Sequence, residues 1–415
     1  MKNKLLSVLL ILVAFESFAG DLKPLFFMPT AQVLPKGIRN FNYNGLTSSA
    51  NEKFGDDGIN ASLAQPLEKD LTFQNIIDGK IGSDEKAAIL QVMATTGSNF
   101  DDTFGQTTGQ VNVNAFAHVP IFAYGLTKKM TVALVVPVID YSYQLDVGVS
   151  QDNRELYNEV EKALAAKGVT DKIDEFYEKI DAPTLSKFDE FNYDQPLSES
   201  GTKLGDIRII TRYQTLNTEN HRVSLQGELV LPTGEDQDIN KAVDVASGDA
   251  QTDVGLGINY DYIVSDSLTF AFNTTYTVQI KDTNPERIPI QSNSKASPDI
   301  DQAAQRNLGD IWATALVMNY EKHGFRLDLG YAYQHKGEDS YSGTSFSNER
   351  YGWLSNETEQ YMHSANITFG FSTISLFRQK KFPLPLIIAL NHNRILAGRN
   401  VVSNPLTSLN LSVFF

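Results

Sequence analysis

The sequence contains no cysteine, so no disulfide bond can stabilise its 415 residues. It also lacks any apolar run close to the roughly 20 residues that a transmembrane helix needs. After Ala19 the best candidates, Thr131–Ile139 and Phe382–Leu390, are short and contain proline. These two absences argue against a helical membrane protein and against a small secreted domain held together by disulfides.

Clusters of lysine and arginine are also missing. The chain has 35 Lys and Arg against 50 Asp and Glu, which gives a net charge of −15 at pH 7. Because nucleic-acid binding needs grouped basic side chains, we expect no nucleic acid as a partner. The six histidines are scattered, and the sequence has no G-x-S-x-G motif, EF-hand loop or His/Cys cluster. We therefore expect no enzymatic activity, no metal and no cofactor.

The N-terminus indicates export. Lys2 and Lys4 precede the apolar stretch Leu5–Phe15, and small residues stand at Ser17 and Ala19, the two positions that a signal peptidase reads. We expect residues 1–19 to be a signal peptide. The exported chain is then a periplasmic protein, a secreted protein or an outer-membrane β-barrel, whose strands do not stand out in hydropathy.

Three long segments alternate apolar and polar residues with a period of two, as strands do when only one face is apolar. They are Val254–Tyr262, Leu268–Lys281 and Phe325–Lys336. An antiparallel sandwich would show the same alternation. The length of the segments favours a barrel, because a tilted spanning strand needs about 9–11 residues and a soluble strand usually has about 5–6.

Aromatic residues and link lengths favour a barrel as well. Tyrosines at strand ends predict a girdle at the membrane boundary: Tyr141, Tyr143, Tyr260, Tyr262, Tyr331 and Tyr333. The links alternate between short and long, as periplasmic turns and extracellular loops do. Counting back from the C-terminus gives 12 strands. The N-terminal segments Ile38–Thr47, Asn60–Gln65 and Leu71–Ile76 raise the preferred number to 14.

The sequence therefore predicts an all-β fold, a transmembrane antiparallel β-barrel of about 14 strands, with 12 as the alternative, in the outer membrane of a Gram-negative bacterium. Residues 20–37 form an N-terminal segment and candidate plug, and residues 38–415 form the barrel. The last strand ends on Phe415, which resembles the signal that barrel-assembly machinery recognises. The expected partners are that machinery, outer-membrane lipid and lipopolysaccharide, and a small-molecule solute.

The long link over residues 148–202 differs from the others. Leu156, Val160 and Leu164 repeat at helical spacing, and Ile173, Phe176, Tyr177 and Ile180 do so again. The segment holds 13 acidic and 6 basic residues. We interpret it as two short amphipathic helices over or inside the extracellular mouth, and the alternative is a solvated loop without a gating role.

In each alternating strand, the positions that carry polar residues must face the lumen. An Arg or Lys on the lipid face near the midplane would cost roughly 2–4 kcal/mol. Two roles are open for this row: a constriction that selects solutes by charge and width, and a salt-bridge network that makes the barrel rigid. The predicted lumen residues are Asp206, Arg208, Arg212, Arg222, Glu228, Asp253, Asp261, Lys281, Arg326 and Asp328.

Two stretches carry a family resemblance. One is Pro29–Gly37, and the other runs from Leu204–Arg208 through Arg212 and Tyr213 to Leu229–Glu235, which contains Leu-Pro-Thr-Gly-Glu. This arrangement resembles the outer-membrane family named for the meta-pathway of phenol degradation and, more distantly, the long-chain fatty-acid transporters. The chain departs from those transporters in lacking their Asn-Pro-Ala signature, so the resemblance does not imply their N-terminal hatch.

The resemblance implies a porin-like transport protein that takes up hydrophobic or aromatic compounds without a cofactor. We expect a passive channel or facilitator for such molecules. Two alternatives remain open: a general porin for small hydrophilic solutes, and a structural or adhesive outer-membrane protein.

Overall fold

The computed structural model describes Leu22 and residues 30–68, 70–78, 83–150, 154–167, 191–194, 197–241, 243–292 and 296–415. The predicted signal peptide and the second helix expected in the long link, at residues 173–180, lie outside these residues. Among the described residues, no helix is long and apolar enough to cross a membrane.

The described part of the chain is mostly β-strand. The strands are β1 (Arg39–Ala50), β2 (Glu52–Phe54), β3 (Asn60–Ser62), β4 (Asp70–Thr72), β5 (Thr103–Gly125), β6 (Met130–Val135), β7 (Val138–Ser150), β8 (Ser198–Leu204), β9 (Ile207–Asn217), β10 (His221–Leu231), β11 (Asp253–Ser265), β12 (Leu268–Gln279), β13 (Asp282–Arg287), β14 (Ile300–Asn307), β15 (Ile311–Lys322), β16 (Phe325–Lys336), β17 (Ser340–Ser342), β18 (Gln360–Ser372), β19 (Leu386–Arg399), β20 (Val401–Val402) and β21 (Leu406–Phe414). The helices are α1 (Phe73–Asp78), α2 (Ser83–Thr96), α3 (Arg154–Ala166), α4 (Asn348–Leu354) and α5 (Ile374–Arg378), with a 3₁₀ turn at Gln65–Leu67.

Twelve antiparallel strands close into a barrel. Their order is β1-β21-β19-β18-β16-β15-β12-β11-β10-β9-β6-β5, and β5 pairs with β1 to complete the ring. At the seam the Arg39 N–H donates to the Phe415 carbonyl over 2.8 Å. The predicted fold class is confirmed: the ring itself has twelve strands, and β7 and β8, which extend outside it, bring the number to fourteen.

The two additional strands arise from breaks in long strands. β6 and β7 pair with β5 in one continuous register, since Ile121 faces Val135 and His118 faces Val138. Pro137 separates β6 from β7, because proline has no N–H and cannot donate a hydrogen bond to the neighbouring strand. Gly205 and Asp206 interrupt β8 and β9 at the same level. Beyond these breaks, β7 and β8 continue as an extension of β5.

The additional strand pair was therefore expected at the wrong place. In the N-terminal region only β1 joins the ring. The segment Asn60–Gln65 contains the short β3, which pairs with β2 outside the ring. The segment Leu71–Ile76 contains the end of β4 and the beginning of α1. Neither is long enough to span a bilayer.

The links follow the predicted alternation, with short turns at the end that holds Phe415 and long connections at the other end. We take the end with the long connections as extracellular. The first helix predicted in the long link is present as α3, and it packs on α1 and α2 through a core that includes Phe73, Ile89 and Leu164. The β18–β19 link is longer than expected because it contains α5.

The outside of the barrel is apolar. Leu256 and Phe325 are each 69% exposed and Phe369 is 58% exposed, which identifies these side chains as a lipid-facing belt rather than a core. Tyr262 and Tyr331 are exposed on the same face, as a girdle requires. Two of the tyrosines expected there do not belong to it: Tyr141 and Tyr143 lie on β7, beyond the break, and are buried beneath the extracellular connections.

Candidate solute pathway

The ring encloses a cavity of about 1780 Å³. Its lining extends from Pro35 and Phe415 at the periplasmic end to Asp249 and Asn400 at the extracellular end. The cavity lining has a polar wall and an apolar wall, which adjoin where β6 pairs with β9.

The polar wall lies on β9 to β12. Arg208 forms an ion pair with Glu228 at 3.2 Å on the neighbouring strand. Further along the same two strands, Arg212 Nη2 donates to Gln226 Oε1 at 2.9 Å, and these two residues pair in the β9–β10 register. The predicted residues that line the cavity are Asp206, Arg208, Arg212, Glu228, Asp253 and Arg326.

Asp206 stands at the break between β8 and β9 and is 6% exposed. Its Oδ1 accepts a hydrogen bond from the Gly234 N–H at 2.8 Å. Thr233 Oγ1 donates to the Gly205 carbonyl and accepts from the Ile207 N–H. The Gly-Asp and Leu-Pro-Thr-Gly motifs therefore fold against each other, so both motifs of the resemblance build one corner of the pathway.

The apolar wall lies on β1, β5 and β6. Leu46, Val119 and Val135 form a buried cluster there. Partly buried apolar residues that also line the cavity surround this cluster: Ala117, Ile121, Ile210 and Leu406. Strand alternation did not predict this wall, because it assigned every lumen-facing position to the polar side of a strand. In β5 both faces are largely apolar, with Ala117, Val119 and Ile121 inward and Phe116 and Phe122 outward.

The described residues of the N-terminal segment lie inside the barrel. The Ala31 N–H donates to Asp261 Oδ1 at 2.8 Å, and Thr30 Oγ1 donates to Asp261 Oδ2 at 3.0 Å. Gln214 Nε2 donates to the Ala31 carbonyl, and the Leu34 N–H donates to Thr131 Oγ1. Since these contacts come from β6, β9 and β11, the segment is anchored across several strands of the wall.

The remaining predicted lumen residues differ in role. Asp261 and Arg222, 3.8 Å apart, face the barrel interior, and Asp261 is occupied by the N-terminal segment. Asp328 is fully buried and bound to Arg326 at 2.8 Å. Lys281 was placed wrongly: β12 and its ladder end at Gln279, so the strand parity no longer applies to Lys281, which is exposed and does not line the cavity.

Four charged residues that the sequence pattern did not single out meet at the extracellular mouth. Arg306, 5% exposed, contacts Asp236 and Asp282 at 2.8 Å each, with Glu286 at 3.9 Å. Burial raises the pKa of Glu286 to about 7, although Arg306 opposes the shift. These residues come from separate loops and short strands, so no local spacing could have revealed the cluster.

The family model described as "Putative MetA-pathway of phenol degradation" matches residues 94–371. The chain belongs to this family. The match includes the Gly-Asp and Leu-Pro-Thr-Gly motifs and most of the cavity wall. No curated protein sequence matches the chain.

One solved outer-membrane channel has the same fold, and a second structure shows a weaker likeness. The COG4313 outer membrane channel from Pseudomonas putida F1 has a TM-score of 0.50 and 12% identity, and the match covers 95% of this chain and all of that one. The toluene transporter TbuX from Ralstonia pickettii has a TM-score of 0.34 and 10% identity, with 92% and 90% covered. This family member is a bacterial outer-membrane β-barrel with the fold of a transport channel.

Proposed function

We propose that the protein is a passive channel for small hydrophobic or aromatic molecules that carry a polar group. The observation that supports this proposal is the division of the lumen into two unlike walls. Val119, Val135 and Leu46 offer an apolar surface, and the polar wall begins beside it at Arg208, which pairs with Val135 in the β6–β9 ladder. A solute with an apolar body and one hydroxyl or carboxyl group would fit both walls.

The N-terminal segment supports selective rather than open passage. Ala31 is completely buried, and Arg212, part of the polar wall, also reaches the Gln32 carbonyl at 3.5 Å. We propose that residues 20–37 act as a plug that narrows the lumen. A general porin would instead keep a wide aqueous path, so the two functions differ in ion conductance.

The test combines conductance with solute uptake by the full-length protein in lipid bilayers and liposomes. We expect little steady ion conductance, together with faster entry of phenol or benzoate than of a sugar of similar size. The double substitution V119S and V135S should slow entry of the aromatic solutes several-fold. Its matched control, L225S, changes a lipid-facing residue and should leave uptake unchanged.

A general porin would give the opposite result. High steady conductance and equal uptake of sugars and aromatic solutes would contradict the proposal. So would unchanged aromatic uptake in the double variant, provided that the variant still assembles as a folded barrel.

A further inference from the structure

The lipid-facing side of the barrel is almost free of charge. Three of the basic residues on this side stand at the ends of their strands: Arg39, Lys322 and Arg399. Between the ends of the twelve ring strands, the outward-facing positions contain one Asp, Glu, Lys or Arg, which is Arg394 on β19. A single interior exception on twelve strands calls for a physical reason, because charge on this face is unfavourable.

The register shows that Arg394 faces outward. It pairs with Ala365 on β18, and its neighbours Asn393 and Ile395 point inward and are buried. Arg394 itself is exposed, and it makes no hydrogen bond or ion pair with any residue in the described parts of the chain. Nothing in the described protein therefore neutralises this guanidinium.

Two histidines accompany Arg394 on the same face. His392 Nδ1 lies 3.0 Å from Thr407 Oγ1, and His363 Nδ1 lies 2.6 Å from the Tyr331 hydroxyl. These contacts orient both imidazole rings through Nδ1. For each ring, Nε2 has no partner among the described residues and can donate a hydrogen bond to a ligand outside the barrel.

The depth of Arg394 places it in the outer leaflet. β19 begins at Leu386 at the periplasmic end, and Arg394 is eight residues further along. A strand tilted by about 40° advances roughly 2.5 Å per residue along the membrane normal. Arg394 is then about 20 Å above the periplasmic edge of an apolar band about 25 Å tall, and its long side chain can reach the headgroups.

We propose that Arg394, assisted by His392 and His363, binds a phosphate group of lipopolysaccharide in the outer leaflet. A guanidinium binds phosphate through two parallel hydrogen bonds, which makes arginine suited to this ligand. Lipopolysaccharide carries phosphates on its lipid anchor at the depth that Arg394 reaches. The exposed Leu390 and Leu396 flank Arg394 on β19 and provide an apolar surface for acyl chains.

The experiment measures lipid binding to the full-length detergent-solubilised protein by native mass spectrometry. The probes are Kdo₂-lipid A, the same lipid after removal of its phosphates, and phosphatidylglycerol. We expect the wild type to retain Kdo₂-lipid A, and R394Q to lose at least about nine-tenths of that binding, a tenfold change. R394K should bind to an intermediate extent, because lysine keeps the charge but not the planar donor pair.

The matched control is K322Q, which removes an outward basic residue at the periplasmic end of β15 and should bind like the wild type. Three results would overturn the proposal: equal binding by R394Q and wild type, equal binding of the dephosphorylated lipid by the wild type, or equal binding of phosphatidylglycerol. The last two comparisons use the wild type alone, so they decide the question even if a variant does not fold.

Discussion

Asp261 shows how one buried side chain can control the pathway. Its two carboxylate oxygens accept hydrogen bonds from the Ala31 N–H and the Thr30 hydroxyl, and the residue is 1% exposed. The sequence placed Asp261 in the lumen from strand parity alone. Its partner could not be predicted, because 230 residues separate it from Ala31.

The substitution D261A should release the N-terminal segment. We expect single-channel conductance to rise several-fold, since the segment would lose two hydrogen bonds to a charged acceptor, each of which contributes about 1.5–3 kcal/mol. Planar-bilayer recordings would measure this. As a control, D328N removes another buried carboxylate that binds Arg326 rather than the segment, and its conductance should stay low. Unchanged conductance in D261A would argue against the plug.

Glu286 gives the extracellular mouth a pH dependence. Burial raises its pKa from 4.5 to about 7, so the folded state binds this proton more tightly than the unfolded chain does. The stability of the mouth should therefore fall as the pH rises from about 4.5 to about 7 and remain at the lower level above that range. Asp236 and Asp282 contribute to the shift, and Arg306 opposes it.

E286Q should remove this dependence. At pH 8 the variant should protect residues 282–307 from hydrogen exchange more strongly than the wild type, by up to about 3 kcal/mol, whereas at pH 4 the two should be alike. Hydrogen-exchange mass spectrometry at both pH values measures the difference. E349Q changes an exposed glutamate on α4 and serves as the control. Equal protection of E286Q and wild type at pH 8 would show that burial does not raise the pKa of Glu286.

At the scale of elements, the junction of β8 and β9 with the β10–β11 connection is closely packed. A Cβ atom on Gly248 would lie 2.6 Å from both carboxylate oxygens of Asp206 and 2.7 Å from the Gly234 Cα. Backbone atoms cannot yield as a flexible side chain can. The glycines and Asp206 therefore require one another in this chain.

G248A should loosen this junction. We expect a loss of about 1–3 kcal/mol in the free energy of unfolding, the usual cost of overpacking, measured by urea unfolding in detergent. G352A on α4 is the matched control, because a Cβ there meets nothing within 4 Å. Wild-type stability of G248A would mean that the junction is looser than its geometry indicates.

Strand prediction succeeded or failed element by element for physical reasons. β11, β12 and β16 have lipid on one side and a polar lumen on the other, so their alternation identified both strand and orientation. β5 has apolar groups on both sides, so its alternation was hidden and its inner wall was missed. The breaks at Pro137 and Gly205–Asp206 required knowledge of which strands pair across them.

At the scale of the whole molecule, ring closure brings unlike strands together around one lumen. β6 stands between β5 and β9, and Val135 on β6 pairs with Arg208 on β9. The apolar wall and the polar wall therefore adjoin and enclose one cavity. The proposed preference for amphipathic solutes belongs to the ring, because the two walls are assembled from several strands.

The sequence alone determined the barrel class, the outward direction of the apolar parity and the alternation of turns and loops. These properties depend on local periodicity, which any strand between lipid and lumen must show. Only the tertiary structure decided that twelve strands form the ring, that the lumen has an apolar wall, and that Asp261 holds the N-terminal segment. Those properties depend on pairings between residues hundreds of positions apart, which periodicity along the chain cannot encode.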